Sequence, residues 1–166
     1  MASKLGLVAK ISSYTLVIIL LLAFAGLATY AILSDNSIRG LTVRFYNVTW
    51  TCTSNSTSPN PVLTFKFNSV IVYSSTSFTT SLSHVMFSMS TNGVEVGTHS
   101  GPDASFGAGQ SASYTLSFTS PALNPSSQPL SSQILLVVNA RVSTGFYSSQ
   151  ASASDSELVH FTSQAC

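Results

Sequence analysis

The chain has 166 residues, enough for one ordinary domain and an anchor but not for two domains. Only 7% of the residues are charged, against about 25% in typical soluble proteins. The 45% apolar fraction argues against disorder, because disordered chains are usually poor in apolar residues and rich in charge. The net charge of +1 gives no field that would attract nucleic acid or a strongly acidic partner. We therefore expect a folded protein that does not bind nucleic acid.

An uncharged apolar segment, residues 11–33, predicts a transmembrane helix that contacts the lipid bilayer. Its central part, Tyr14 to Leu33, has the roughly 20 residues that a helix needs to cross a hydrocarbon core about 30 Å thick. Tyr14 and Tyr30 lie near its two ends, where tyrosine side chains favour the membrane interface. The predicted organisation is a tail at 1–10, the helix at 11–33, a short polar linker at 34–40 and one domain at 41–166.

The charges around this segment predict its orientation. Lys4 and Lys10 precede it, whereas Asp35, Arg39 and Arg44 follow it. The small excess of positive charge before the helix favours a cytoplasmic N-terminus. The C-terminal domain of this single-pass cell-membrane protein would then be extracellular.

Two kinds of proteolytic processing would change that topology. Ala23-Phe24-Ala25 is similar to a signal-peptidase site, but the apolar run continues to Leu33 and cleavage would leave an apolar N-terminus. The segment from Lys4 to Leu7 is faintly similar to the leader site of pilin-like proteins, with its basic residue one position too far from the glycine. An uncleaved signal anchor is the favoured interpretation, and both alternatives stay open.

Alternating apolar and polar residues after position 40 predict β-strands that bury one face each. Leu41 to Trp50 starts with Val43 and Phe45 on one face and continues with Tyr46 and Val48 on the other, which predicts a bulge. The other inward faces are predicted to be Leu63, Phe65, Phe67 and Ile71, then Val85, Phe87 and Met89, then Tyr114, Leu116 and Phe118, then Ile134, Leu136, Val138, Ala140 and Val142.

The breaks between these segments predict how the strands are connected. Asn92-Gly93 predicts a two-residue hairpin, because both turn positions need positive φ. Residues 121–129 form a Pro/Ser-rich loop that is too long for a tight hairpin. No helical periodicity occurs after residue 40. Six or seven short strands are therefore expected to form an antiparallel, immunoglobulin-like β-sandwich.

Two cysteines and two sequons are the candidate modification sites. Cys52 and Cys166 could form a disulfide outside the cell, and two free thiols are the alternative. Asn47 and Asn55 each begin an N-glycosylation sequon. Asn55, in a Ser/Thr/Pro-rich segment, is the better acceptor of the two.

No catalytic, cofactor-binding or metal site is predicted. His84, His99 and His160 do not stand at metal-ligand spacing from one another or from a cysteine. The chain lacks the G-x-S-x-G motif of a nucleophile elbow. Asp155 and Glu157 are interpreted as part of a solvated turn rather than as an acid/base pair. We expect that the protein is not an enzyme.

Asn92, Gly93 and Gly97 form a hairpin, Gly109 lies in the loop that follows, and the strand after it carries Tyr114, Leu116 and Phe118. In this layout the chain resembles the LEA14-like domain, the late-embryogenesis-abundant group 2 or water-stress and hypersensitive-response domain. The resemblance is clearest over 62–121, and the Asn-Pro pair that the family often has after its preceding strand is missing. It implies a β-sandwich behind one membrane helix, with no catalytic residues.

Two functions are compatible with these features. The favoured one is a membrane-anchored, non-catalytic protein with a structural, binding or stress-protective role at the cell surface. Its expected partners are the bilayer, through residues 11–33, and further copies of the chain or other envelope proteins. The alternative is a pilin-like subunit of an extracellular filament whose N-terminal helices bundle in the core, a dry environment that does not suit Lys10.

We predict a Cys52–Cys166 disulfide in protein isolated from its own membrane. Closing a loop of this length would stabilise the domain by about 4–5 kcal/mol in the chain-entropy model. Peptide mapping without reduction should give one cross-linked pair that a reductant separates. Alkylation of both thiols in the native, unreduced protein would exclude the disulfide.

Overall fold

The computed structural model describes residues 2–53, 62–75, 78–120 and 131–160, and the side chains of 14–51, 62–75, 78–119 and 131–160. One helix precedes the strands, and the described part of the chain has no helix after it. The elements are α1 (Ala2–Arg39), β1 (Leu41–Thr53), β2 (Val62–Ser74), β3 (Thr80–Thr91), β4 (Val94–Ser100), β5 (Ala104–Phe106), β6 (Ser111–Ser120), β7 (Ser131–Thr144) and β8 (Tyr147–His160). This mainly β architecture behind one apolar helix confirms the predicted fold class. Most strands are longer than expected, with 10–14 residues in all except β4 and β5.

The strands form two antiparallel sheets that pack face to face. One sheet has the order β1-β2-β6, and the other has the order β4-β3-β7-β8, with β5 paired to β3. The alternating apolar faces of both sheets meet in a single core. Eight side chains predicted to lie together in this core are confirmed there, each at most 3% exposed: Phe65, Phe67, Val85, Phe87, Leu116, Phe118, Leu136 and Val138.

The Asn92-Gly93 hairpin is confirmed at the connection between β3 and β4. Both residues have positive φ, 48° and 80°, and Thr91 pairs directly with Val94. The Asn92 side-chain oxygen also accepts a hydrogen bond of 3.0 Å from the backbone amide of Gln133. The turn is therefore attached to β7 as well as to its own two strands.

Bulges reverse the facing of residues in β2 and β3. In β2 the register against β6 shifts between Phe67 and Val70, so that Val70 and Val72 are buried. The prediction that Ile71 faces inward is wrong for this reason: one inserted residue moves every later side chain to the opposite face. The register of β3 against β7 shifts in the same way between Ser83 and Met86.

The predicted change of phase in β1 occurs, but its position and cause differ from the prediction. Phe45 is buried, Tyr46 is 48% exposed, and Asn47 has a φ of 54°. Tyr46 pairs with Ser69 and Val48 pairs with Phe67, so β1 and β2 keep one register through this point. The inserted residue lies in β2 relative to β6, and β1 follows the resulting bend.

We predict that Phe87→Ala will lower the free energy of unfolding by about 3–5 kcal/mol, as at other buried aromatic positions. The Phe87 ring is fully buried and meets the Tyr114 ring edge to face, with 5.0 Å between centroids. Chemical denaturation followed by near-UV circular dichroism measures the effect.

The matched control is Ser88→Ala, at the neighbouring half-buried position, which should change stability by no more than about 0.5 kcal/mol. A larger loss for Ser88→Ala than for Phe87→Ala would contradict the described register of β3.

Candidate functional site at the helix–sandwich junction

The apolar part of α1 is not covered by the sandwich. Every side chain from Tyr14 to Leu33 is exposed except that of Tyr30, which is half-buried. The segment Tyr14–Arg39 is long and apolar enough to cross a membrane, and none of its most apolar window is buried. By length and composition, such a helix serves either as a membrane span or as a signal sequence.

The last turns of α1 pack against the sandwich. Ser34, Ser37 and Ile38 are at most 4% exposed. Together with Tyr30 they recur at positions i, i+4, i+7 and i+8, which lie on one face of a helix. Residues 34–39, predicted to form a linker, are therefore helical, because packing of one face stabilises a helix more than sequence propensity does.

One hydrogen bond joins the C-terminal end of α1 to β2, and another closes the last turn of the helix. The Ser74 hydroxyl donates a 2.6 Å hydrogen bond to the Ser37 carbonyl, one of the carbonyls near the helix end. The Gly40 amide donates to the Asn36 carbonyl at 2.9 Å. A Cβ at Gly40 would come within 2.9 Å of the Ser75 hydroxyl, so glycine allows this close approach.

Tyr30 connects the helix to the turn between β7 and β8. Its hydroxyl donates to the Thr144 carbonyl at 3.2 Å and accepts from the Phe146 amide at 3.4 Å. Gly145, between these two residues, has a φ of 58°, and a Cβ there would overlap the Tyr30 hydroxyl. The turn is thus held against the apolar helix by a side chain that sequence analysis had assigned only to the membrane interface.

Aromatic side chains gather at this end of the sandwich. The Phe78 ring meets the Tyr30 ring edge to face, with 5.5 Å between centroids. Phe146 is fully exposed, and Tyr147 is 41% exposed. We call Tyr30, Phe78, Phe146 and Tyr147 the basal aromatic group.

Three of the five carboxylates contact groups within the fold. Asp155 accepts a 3.1 Å hydrogen bond from the Phe45 amide and so joins the β8 edge of one sheet to the β1 edge of the other. Asp103 accepts one of 3.1 Å from the amide of His84, the bulge residue of β3. Asp35 pairs with Arg39 at 2.7 Å. Asp155 and Glu157 lie in β8, and their assignment to a solvated turn is wrong because the long β7–β8 ladder extends through both.

Two side chains outside the apolar segment have shifted pKa values. The Tyr73 hydroxyl, hydrogen-bonded to Arg44, raises the pKa of that guanidinium, and Tyr46 and Asp155 raise it further. Burial raises the pKa of Tyr114, and the nearby Asp103 adds to the effect. Both groups therefore keep their protons at neutral pH, and neither is poised for proton transfer.

The candidate modification sites are not brought together in the described residues. Asn47 is exposed in β1. The Cys52 backbone pairs with Leu63, but its side chain, Asn55 and Cys166 lie outside the described residues. Both the disulfide and the use of the sequons remain predictions.

The three histidines lie in different parts of the sandwich. His84 is in the β3 bulge, His99 is in β4 and His160 ends β8. Among the described residues, no three His, Cys, Asp or Glu side chains form a group that could hold a metal ion.

Sequence analysis missed the packed face of α1, although the spacing of Tyr30, Ser34, Ser37 and Ile38 is visible in the sequence. Two of the four residues are serines, which do not register in a search for apolar periodicity. Small residues nevertheless suit a close helix contact, because they let backbones approach.

No protein-family model and no curated protein matches the chain. Among solved structures, a protein from Archaeoglobus fulgidus is similar with a TM-score of 0.38 and 11% identity, over 73% of this chain and 100% of that one. The ApaA protein from Bordetella pertussis is similar with a TM-score of 0.43 and 12% identity, over 73% and 93% of the two chains. The structural-genomics target SoR45 has a TM-score of 0.47 and 10% identity, over 74% and 88%.

We predict that Gly145→Ala will destabilise the protein more than Gly109→Ala. Both glycines have positive φ, so alanine is strained at each by about 1–2 kcal/mol. Only at Gly145 does the new Cβ also overlap Tyr30, and losing that side chain's hydrogen bonds should add at least about 1 kcal/mol. Thermal unfolding in detergent gives both values.

The Tyr30→Ala background separates the two effects. There the overlap is gone, and the two glycine substitutions should cost the same. Equal costs in the wild-type background would contradict the Tyr30 contact.

Proposed function

We propose that this protein is a single-pass membrane protein whose N-terminal helix holds a non-catalytic β-sandwich close to the bilayer, outside the cytoplasm. One observation supports this most strongly: α1 is a continuous helix whose apolar part is uncovered while its last turns belong to the domain. A soluble protein rarely leaves so large an apolar surface in water. Lipid is the environment in which such a surface is stable.

The packing at the junction also bears on the choice between an anchor and a cleaved signal. Cleavage after Ala25 would leave the exposed apolar side chains of Leu27, Ile32 and Leu33 attached to the folded domain. The contacts of Tyr30 and Ile38 would hold them there. An uncleaved anchor keeps this surface in lipid and is favoured for that reason.

The extracytoplasmic location is supported by the charge distribution around the helix. Lys4 and Lys10 precede the span, and such a bias favours a cytoplasmic N-terminus. The sequons at Asn47 and Asn55 would then lie on the side of the membrane where glycans are added. Asn47 is exposed, as an acceptor must be.

A structural or binding role is supported by what the ionisable groups do. Asp103 and Asp155 accept hydrogen bonds from backbone amides at a bulge and at a sheet edge, and Asp35 pairs within the helix. These contacts stabilise the fold, and the three carboxylates are occupied by groups of the protein itself. We assign the sandwich to the LEA14-like class on the hairpin and glycine pattern given above, with a stress-protective role at the cell surface as the function this assignment favours.

We predict that the native protein will be recovered in the membrane fraction and will resist extraction with alkaline carbonate. Protease added to intact cells should digest the sandwich and leave the tail before residue 11 protected. The mass of the mature protein should show an N-terminus at Met1 or Ala2. Immunoblotting with antibodies to each end and intact-mass analysis are the measurements.

The contradicting outcomes differ in meaning. Release of soluble protein with Gly26 at its N-terminus would show a secreted domain. Leu7 at the N-terminus would support the filament subunit instead. Protection of the whole chain from external protease would reverse the proposed orientation.

A further inference from the structure

We propose that the β7–β8 turn is a second membrane contact, in which the Phe146 ring inserts into the same bilayer that α1 spans. This inference rests on the proposed membrane anchoring and adds to it a second point of contact, which orients the sandwich relative to the bilayer. It follows from the level of the turn along the helix, from the chemistry of the turn and from its hydrogen bonds.

The level of the turn is set by Tyr30. If Tyr14 and Leu33 mark the two ends of the hydrocarbon span, Tyr30 lies three residues inside its outer end, about 4–5 Å at 1.5 Å per residue. Side chains of a helix point toward its N-terminus, which carries the Tyr30 hydroxyl somewhat deeper. The Thr144 carbonyl and the Phe146 amide are bonded to that hydroxyl. The turn therefore lies at the boundary between hydrocarbon and headgroups.

The chemistry of the turn suits that boundary. Residues 142–149 contain no charged side chain. Phe146 is fully exposed, whereas the described phenylalanines of both sheets are buried in the core. An isolated exposed phenylalanine is unremarkable elsewhere on a surface. Beside an apolar helix it is continuous with the lipid-facing surface, together with the rest of the basal aromatic group.

The Phe146 amide of the turn also has a hydrogen-bond partner within the protein, as an amide needs where water is scarce. An unsatisfied amide costs several kcal/mol in hydrocarbon, and the Phe146 amide donates to Tyr30 instead of to water. Gly145 makes this possible, because its φ of 58° and missing Cβ let the turn approach the helix. Lipid is thus the occupant that fits the exposed ring.

Tryptophan fluorescence in the full-length protein tests the inference. The native chain has one tryptophan, Trp50, nine residues along β1 from Leu41 and so about 30 Å from the helix end. Phe146→Trp should be made in this background and placed in phosphatidylcholine vesicles whose acyl chains carry bromine near the headgroup. We expect blue-shifted emission and a loss of fluorescence comparable with that of Leu27→Trp, a reporter on the exposed face of the helix.

Val94→Trp is the matched control. Val94 is also an exposed apolar residue at a tight turn. However, Thr80 pairs with Thr144, whereas Thr91 pairs with Ile134. The β3–β4 turn is therefore at the opposite end of the sandwich, eleven residues or about 36 Å away. Val94→Trp should emit like a tryptophan exposed to water and should not be quenched. Because both altered side chains are exposed, the fold should be retained, which far-UV circular dichroism checks.

Each other outcome overturns a different statement. If Leu27→Trp is quenched and Phe146→Trp is not, the helix is in the bilayer and the turn is not, so the inference fails while the anchor stands. If neither is quenched, the helix is outside the bilayer and the proposed function fails as well. Equal quenching of Phe146→Trp and Val94→Trp would show that the introduced tryptophan alone attracts lipid, and would also overturn the inference.

Discussion

Mutual burial of the two sheet faces is the interaction on which the rest of the structure depends. Each sheet carries one apolar face, and in the described chain no helix lies across either of them. An antiparallel sheet is stable in this situation when a second sheet covers it. With so few charged residues available to form surface networks, this core is the main source of stability. The long strands extend the buried stripe along both sheets.

The same core explains why the carboxylates and bulges occur where they do. Bulges turn β2 and β3 so that their second halves keep an apolar face inward after the sheet has bent. A bulge leaves a backbone amide without its ladder partner, and at His84 Asp103 accepts that hydrogen bond. At the open sheet edge the Phe45 amide is bonded by Asp155. Asp103 and Asp155 thus accept hydrogen bonds from backbone amides that strand pairing leaves without a partner.

The sequence alone predicted the sandwich, its core face and the Asn92-Gly93 hairpin, because strand alternation and turn chemistry are local properties. The prediction failed at Ile71, because it continued the alternation of inward and outward residues past Phe67. The bulge between Phe67 and Val70 instead makes Val70 the next inward residue. The prediction also failed at residues 34–39, because Ser74, which donates a hydrogen bond to the Ser37 carbonyl, is distant in sequence. The junction itself depends on a tyrosine meeting a turn more than one hundred residues later. No local pattern encodes that contact.

Because the junction is packed, the helix and the sandwich should change orientation together as one rigid body. A flexible linker would let the domain keep its orientation when the helix tilts. Here the buried side chains of Ser34, Ser37 and Ile38 fix the orientation of the strands relative to the helix. Spanning helices tilt by about 20° on average, and the tilt changes with bilayer thickness. Over a sandwich about 36 Å tall, a change of tilt of that size would carry the β3–β4 turn sideways by about 12 Å. If the proposed anchor spans a bilayer, the thickness of that bilayer would then set the inclination of the domain and the face that it presents to a neighbouring molecule.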